Sequence, residues 1–93
     1  MPRSPLPEAE ISTRLGSLQS WRREGNEIVR TFEFPDFRGS LAFVNKTGDL
    51  AEAAGHHPDI DIRYNKVRLA LTTHDAGGLT ANDFDLADKI NNI

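Results

Sequence analysis

Apolar residues recur along this chain in two rhythms, one helical and one alternating, and the switches between them mark out seven elements. Over Glu8–Leu18, Ile11, Leu15 and Leu18 fall at helical spacing, with Glu8 and Glu10 in the first turn, where the helix dipole favours acids. Gly16 weakens that helix. Trp21–Arg23 and Glu27–Phe34 flank a polar Glu24-Gly25-Asn26 turn and read as a hairpin. Ile28, Phe32 and Phe34 share one face of its second arm, with Arg30 as the exception. Asp36 is placed to cap a second helix. Phe37, Leu41, Val44, Gly48 and Ala51 follow at alternating steps of four and three, which predicts a buried stripe with another backbone packed close at Gly48. Gly55 followed by Pro58 ends the helix.

Asp59–Tyr64 alternates, placing Ile60, Ile62 and Tyr64 inward and Asp59, Asp61 and Arg63 outward. Asn65-Lys66 makes the turn. Val67–Thr73 alternates again, with Val67, Leu69 and Leu71 toward the core and Arg68, Ala70 and Thr72 away from it. One further step sends His74 out on the side opposite the core. Asp75-Ala76-Gly77-Gly78 reads as a loop, and Thr80-Ala81-Asn82-Asp83 resembles a capping box that opens a last helix. Phe84, Leu86, Ala87 and Ile90 supply its apolar side. The order α-β-β-α-β-β-α predicts an α+β domain over residues 8–93, a four-stranded antiparallel sheet with three helices packed on one face. Residues 1–7, with three prolines, read as a flexible leader. Trp21 and Tyr64 are expected as core or interface aromatics.

At 93 residues the chain makes one domain with a thin core, for which oligomerisation is a common remedy. A net charge of −3, with acids and bases interspersed, argues against direct nucleic-acid binding. The absence of cysteine excludes disulfides, zinc–thiolate sites and cysteine nucleophiles, and gives weak support to a cytoplasmic location. No apolar run is long enough to span a membrane, and the first residues lack the apolar stretch of a signal peptide.

What remains is a distinctive set of histidines. There are three, His56 and His57 side by side in Gly55-His56-His57-Pro58, and His74 after Thr72-Thr73. Their ordinary pKa, about 6.5, suits them to giving and taking protons near neutrality. Because residues 59–64 and 67–73 form a hairpin, His56/His57 and His74 begin and end at the same edge of it. Pro58 biases His57 toward an extended backbone. Glu52 lies four residues before His56, within reach of its ring if the helix persists, and such a contact fixes the tautomer. A metal site is the alternative for three imidazoles and a carboxylate. Adjacent residues seldom bind one ion well, and no same-face His spacing is present. Asp83 serves as the capping acid, as a functional group, or as both, since capping also aims the loop carrying His74. Gly77-Gly78 lacks the context of a phosphate loop.

Glu52-x-x-x-His56-His57-Pro58, Tyr64-Asn65-Lys66-Val67, Thr73-His74-Asp75 and Gly78-Leu79-Thr80-x-x-Asp83 together resemble the pterin-4a-carbinolamine dehydratases. The likeness extends upstream through Trp21, Phe32-x-Phe34-x-x-Phe37, Phe43 and Ala51-Glu52, so it covers nearly everything after the leader. It implies an α+β fold assembled as a homodimer or homotetramer, and dehydration of 4a-hydroxytetrahydropterin to quinonoid dihydropterin and water. That substrate arises when aromatic amino acid hydroxylases use their pterin cofactor, which makes such a hydroxylase the implied pathway partner. Carried over by residue, His56, His57 and His74 are the catalytic histidines, with Glu52 and Asp83 as supporting acids. Gly55, His56, His57, Thr72, Thr73, His74 and Asp75 match the segments that hold the pterin. The resemblance implies neither metal nor redox cofactor. Gly55 stands where relatives often carry a polar residue, and the amino-terminal segment is short. Some relatives act instead as transcriptional coactivators or in Rubisco assembly. The carboxysomal ones typically lose the catalytic histidines, all of which are present here.

Overall fold

A computed structural model describes residues 4–93; Met1 to Arg3, and with them the start of the expected leader, lie outside the described residues. Helix α1 (Glu8–Ser17) leads into a hairpin of β1 (Arg22–Glu24) and β2 (Glu27–Glu33). Helix α2 (Phe37–Ala54) then crosses to a second hairpin of β3 (Asp59–Arg63) and β4 (Lys66–Leu71), and α3 (Ala81–Asn91) closes the chain. All neighbouring strands are antiparallel, in the order β1-β2-β4-β3. This is the expected α+β architecture, with one short 3₁₀ turn (His74–Ala76) added between β4 and α3.

The core lies on one face of the sheet. Ile28, Val67, Leu69 and Leu71 project from β2 and β4 against Ile11 of α1, Phe43 and Ala51 of α2, and Phe84, Leu86, Ala87 and Ile90 of α3. Trp21 joins that cluster, and its Nε1–H donates to Asn91 Oδ1 (2.8 Å). The same oxygen accepts from Arg30 Nη1 (2.6 Å), whose guanidinium lies over the Phe32 ring at 4.2 Å. That cation–π contact and hydrogen bond explain how a charged residue is tolerated in the apolar arm of β2. In the segment expected to be a flexible leader, Leu6 donates its backbone N–H to Leu79 O (2.8 Å) and packs against the core.

Three expectations change. The buried face of α2 is Ser40, Phe43, Thr47 and Ala51; of the expected stripe Ala51 is buried and Val44 packs partly against the core, but Phe37 and Leu41 are 44% and 41% exposed. Small polar residues allow this roll: Ser40 Oγ donates to Tyr64 O (2.7 Å), drawing the helix onto the second hairpin. A β-carbon at Gly48 would meet nothing within 4 Å, so no backbone packs there. Second, Ile60 and Ile62 pair with Leu69 and Val67 on the inner face yet stay 39% and 37% exposed, because β3 is an edge strand. Third, the β3–β4 turn is Tyr64-Asn65, one residue earlier than expected, with Tyr64 at φ +52° and exposed. Lys66 is already paired with Arg63. On the opposite face, the cross-strand neighbours Val29 and Ala70 are buried although Ala70 points away from the helices. The hydrogen-bonded Arg22–Glu24–Arg68 group flanks them.

Candidate active site

Helix α2 ends in a turn that only a few residues make easily. Gly55 takes a left-handed conformation (φ +62°), its N–H bonded to Ala51 O and Glu52 O, and His56 N–H reaches back to Ala51 O at 3.1 Å. A six-to-one bond closed over a left-handed glycine is the Schellman way to end a helix. It turns the chain sharply before His56. The helical spacing that would have placed Glu52 beside His56 therefore stops one residue too soon, and Glu52 Oε2 is hydrogen-bonded to His57 Nε2 instead. Both partners of that pair are open to solvent.

His56 meets a different carboxylate. Its Nε2 lies 2.6 Å from Asp83 Oδ1, twenty-seven residues away in sequence. Asp83 is completely buried, and its other oxygen accepts from Thr80 N–H (2.9 Å) and from the Thr73 hydroxyl (2.8 Å). Thr80 is the N-cap of α3 and Asp83 the third residue of a complete capping box. The capping role and the contact with the His56 imidazole coexist in one side chain.

His74 comes from the far end of β4. The strand stops at Leu71, and Thr73 forms an isolated bridge with Gly78 through reciprocal backbone bonds of 3.1 and 3.3 Å. That bridge pinches off a loop in which His74 opens the 3₁₀ turn and Gly77 (φ +75°) closes it, its N–H bonded to His74 O. A helical turn, not continued strand alternation, sets the direction of His74.

These segments meet around a cavity of about 250 Å³ lined by Gly55, His56, His57, Thr72, Thr73, His74 and Asp75. All three histidines border it, as do all seven residues expected to bind ligand. Glu52 and Asp83 stand behind His57 and His56 rather than in the lining. The volume is below the ~300–1,000 Å³ of sites for drug-sized ligands. The wall combines imidazoles, hydroxyls and a carboxylate, the equipment for moving protons at near-neutral pH. Among the described residues, no group of three or more His, Cys, Asp or Glu side chains could hold a metal ion. Both histidines of the pair follow the C-terminus of α2. A neighbouring hollow shares Thr72 and His74 and adds Asn26, Glu27, Gly77 and Gly78. The sequence carries no signal for the last contact of the first hairpin with this loop, since it depends on the pairing of β2 with β4.

Residues 4–93 match the family model described as pterin 4 alpha carbinolamine dehydratase. Relatives from Roseiflexus sp. and Chloroflexus aurantiacus, both carrying provisional pterin-4-alpha-carbinolamine dehydratase names, are each 62% identical to the chain. The first alignment covers 95% of both chains, the second 100% of this chain and 98% of the relative. Among solved structures, a transcriptional coactivator/pterin dehydratase from Brucella melitensis superposes with a TM-score of 0.91 at 33% identity, covering 96% of this chain and 97% of that one. A pterin dehydratase-like protein identified as a RuBisCO assembly factor in the alpha-carboxysome superposes at 0.68 and 26% identity, over 80% of this chain and 88% of its own.

Proposed function

The chain belongs to the pterin 4 alpha carbinolamine dehydratase family, and from that premise we propose that His56, His57 and His74 dehydrate a 4a-hydroxytetrahydropterin by general acid–base catalysis. The observation that carries this reading is the placement of all three imidazoles on one small cavity, two of them held by carboxylates. The reaction breaks the C4a–O bond and removes the N5 proton, forming a C4a=N5 double bond in the quinonoid dihydropterin and releasing water. Hydroxide is a poor leaving group, so the oxygen must gain a proton as the bond breaks, while another group takes the N5 proton. Positioned acids and bases each contribute typically 10²–10⁴-fold to such steps.

In this reading the His56/His57 side protonates the hydroxyl and His74 handles the second proton or positions the ring. Glu52 and Asp83 support their histidines, and Gly55, Thr72, Thr73 and Asp75 complete the pocket around the pterin. The chemistry calls for no metal and no redox cofactor. An aromatic amino acid hydroxylase supplies the substrate, which fits a cytoplasmic enzyme; no helix among the described residues is long and apolar enough to cross a membrane. Phe37 and Leu41 on α2, with Ile60 and Ile62 on edge strand β3, remain uncovered within the chain and provide the surface for a homodimer or homotetramer. The same surface supports a second reading, a coactivator or assembly role like those of the two structural neighbours. A spectrophotometric dehydration assay on a 4a-hydroxypterin, with and without chelator, tests the enzyme reading. Accelerated dehydration indifferent to chelator is expected; no acceleration would leave the binding role in its place.

A further inference from the structure

We propose that Thr73 is a positioning residue which, through Asp83, holds His56 as its Nε2–H tautomer and so makes Nδ1 the atom that exchanges protons with whatever occupies the cavity. The direction of each hydrogen bond follows from counting protons. Asp83 Oδ2 receives two donors, the Thr80 backbone N–H and the Thr73 hydroxyl. Thr73 has one hydroxyl proton and spends it there. In the 2.8 Å contact between the Thr73 and Thr80 hydroxyls, Thr80 must therefore donate and Thr73 accept. Thr80 Oγ1 is then left to accept from Asn82 N–H, as its capping geometry requires. Every proton of the threonine chain points toward Asp83 Oδ2, and an ionised carboxylate has no proton to donate, so Oδ1 accepts as well. His56 Nε2, 2.6 Å from Oδ1, supplies the matching N–H.

The consequence concerns the other nitrogen. His56 Nδ1 has no hydrogen-bond partner among the described residues, and the ring lines the cavity. Neutral His56 thus offers a lone pair at Nδ1; protonated His56 offers an N–H at the same atom. Whichever way the proton travels, it passes through Nδ1. Thr73 is 4% exposed and its one hydroxyl proton is spent on Asp83, so it has no proton to offer a ligand and its side chain acts on the imidazole. Burial excludes the water that would otherwise compete for these bonds, which keeps the ring from turning over.

This rests on the dehydratase reading for where the proton goes, but not for the tautomer itself. The test is a ¹⁵N–¹H correlation spectrum of the imidazole nitrogens on the full chain, paired with kcat and KM for 4a-hydroxypterin dehydration. Wild-type protein should show neutral His56 as Nε2–H. In Asp83→Asn, the two donors at Oδ2 pin the amide oxygen on their side and turn the NH₂ toward His56, so the spectrum should switch to Nδ1–H. Thr73→Val should lose the single tautomer and lower kcat by roughly 10- to 100-fold, the range seen when a partner that orients a working imidazole is removed, with KM little changed. Thr73→Ser, which keeps the hydroxyl, should restore both, and it decides the matter if the valine variant folds poorly. A wild-type Nδ1–H signal, an unswitched Asp83→Asn spectrum, or a serine variant no better than valine would each overturn the proposal. An Nε2–H tautomer that switches as described in a protein without dehydratase activity would sink the reaction assignment and leave this one standing.

Discussion

Two histidine–carboxylate pairs stand one residue apart in this chain and could hardly differ more in setting. His56 and Asp83 have side chains 14% and 0% exposed; those of His57 and Glu52 are 60% and 78% exposed. The first pair is fixed by a buried network that also caps a helix, and the second is a surface contact in which water competes for both partners. Exposed ion pairs are worth about 0–1 kcal/mol, whereas a buried partner left without its mate costs several times more. One imidazole is therefore held in place and its neighbour is free to adjust. In the proposed reaction the His56/His57 side thus combines a fixed ring with an adjustable one.

The comparison breaks most sharply at Asp83. Asp83→Ala removes the capping box and strands the Thr80 N–H, the Thr73 hydroxyl and the His56 ring, at an expected cost of roughly 3–5 kcal/mol in urea unfolding. A loss under about 1 kcal/mol would mean the network is not the anchor described. Gly55→Ala comes next. Its left-handed backbone disfavours any β-carbon, so about 1 kcal/mol of stability should go. Because both pairs hang from this turn, ring signals of His56 and His57 should shift together in NMR spectra; a change at only one would show that they are positioned separately.

Glu52→Ala sharpens the contrast from the other side. Stability should change by less than about 1 kcal/mol, and whatever effect exists should shrink in high salt, as screening of an exposed pair requires. A salt-independent loss as large as that of Asp83→Ala would erase the distinction. Smallest of all is the response of Glu24, another exposed carboxylate, held below the usual carboxylate range by the hydrogen bond from Arg22 and then by the charges of Arg22 and Arg68. A carboxyl with a lowered folded pKa lends stability above its ordinary pKa and loses it as pH falls through the lowered one. Glu24→Gln should thus be slightly less stable than wild type near neutrality and indistinguishable from it well below pH 4, by denaturant midpoints at both pH values. A difference that grew on acidification would contradict the sign.

Much of this frame was legible before any coordinates. Asp36, the Thr80–Asp83 box and Gly55 announced their helix ends because capping chemistry is local, and the two hairpins followed from alternation and turn residues. That the three histidines lie at one edge followed from the second hairpin, while the direction of His74 depended on the 3₁₀ turn. What resisted was non-local or outward-facing. The roll of α2 depends on Ser40 reaching Tyr64 O across the fold, and a stripe such as Phe37–Leu41 reads the same whether it meets its own sheet or another surface. The exchange of partners, Glu52 with His57 and Asp83 with His56, depends on how sharply one glycine turns the chain. Spacing suggested the acids; only geometry paired them.

The most direct test of the central claim is the steady-state rate of 4a-hydroxypterin dehydration by His56→Ala, His57→Ala and His74→Ala beside wild type. Three imidazoles on one cavity, each handling or placing a proton, predict that kcat falls by roughly 10²-fold in each variant while the fold is kept. Turnover unchanged in all three would contradict the account.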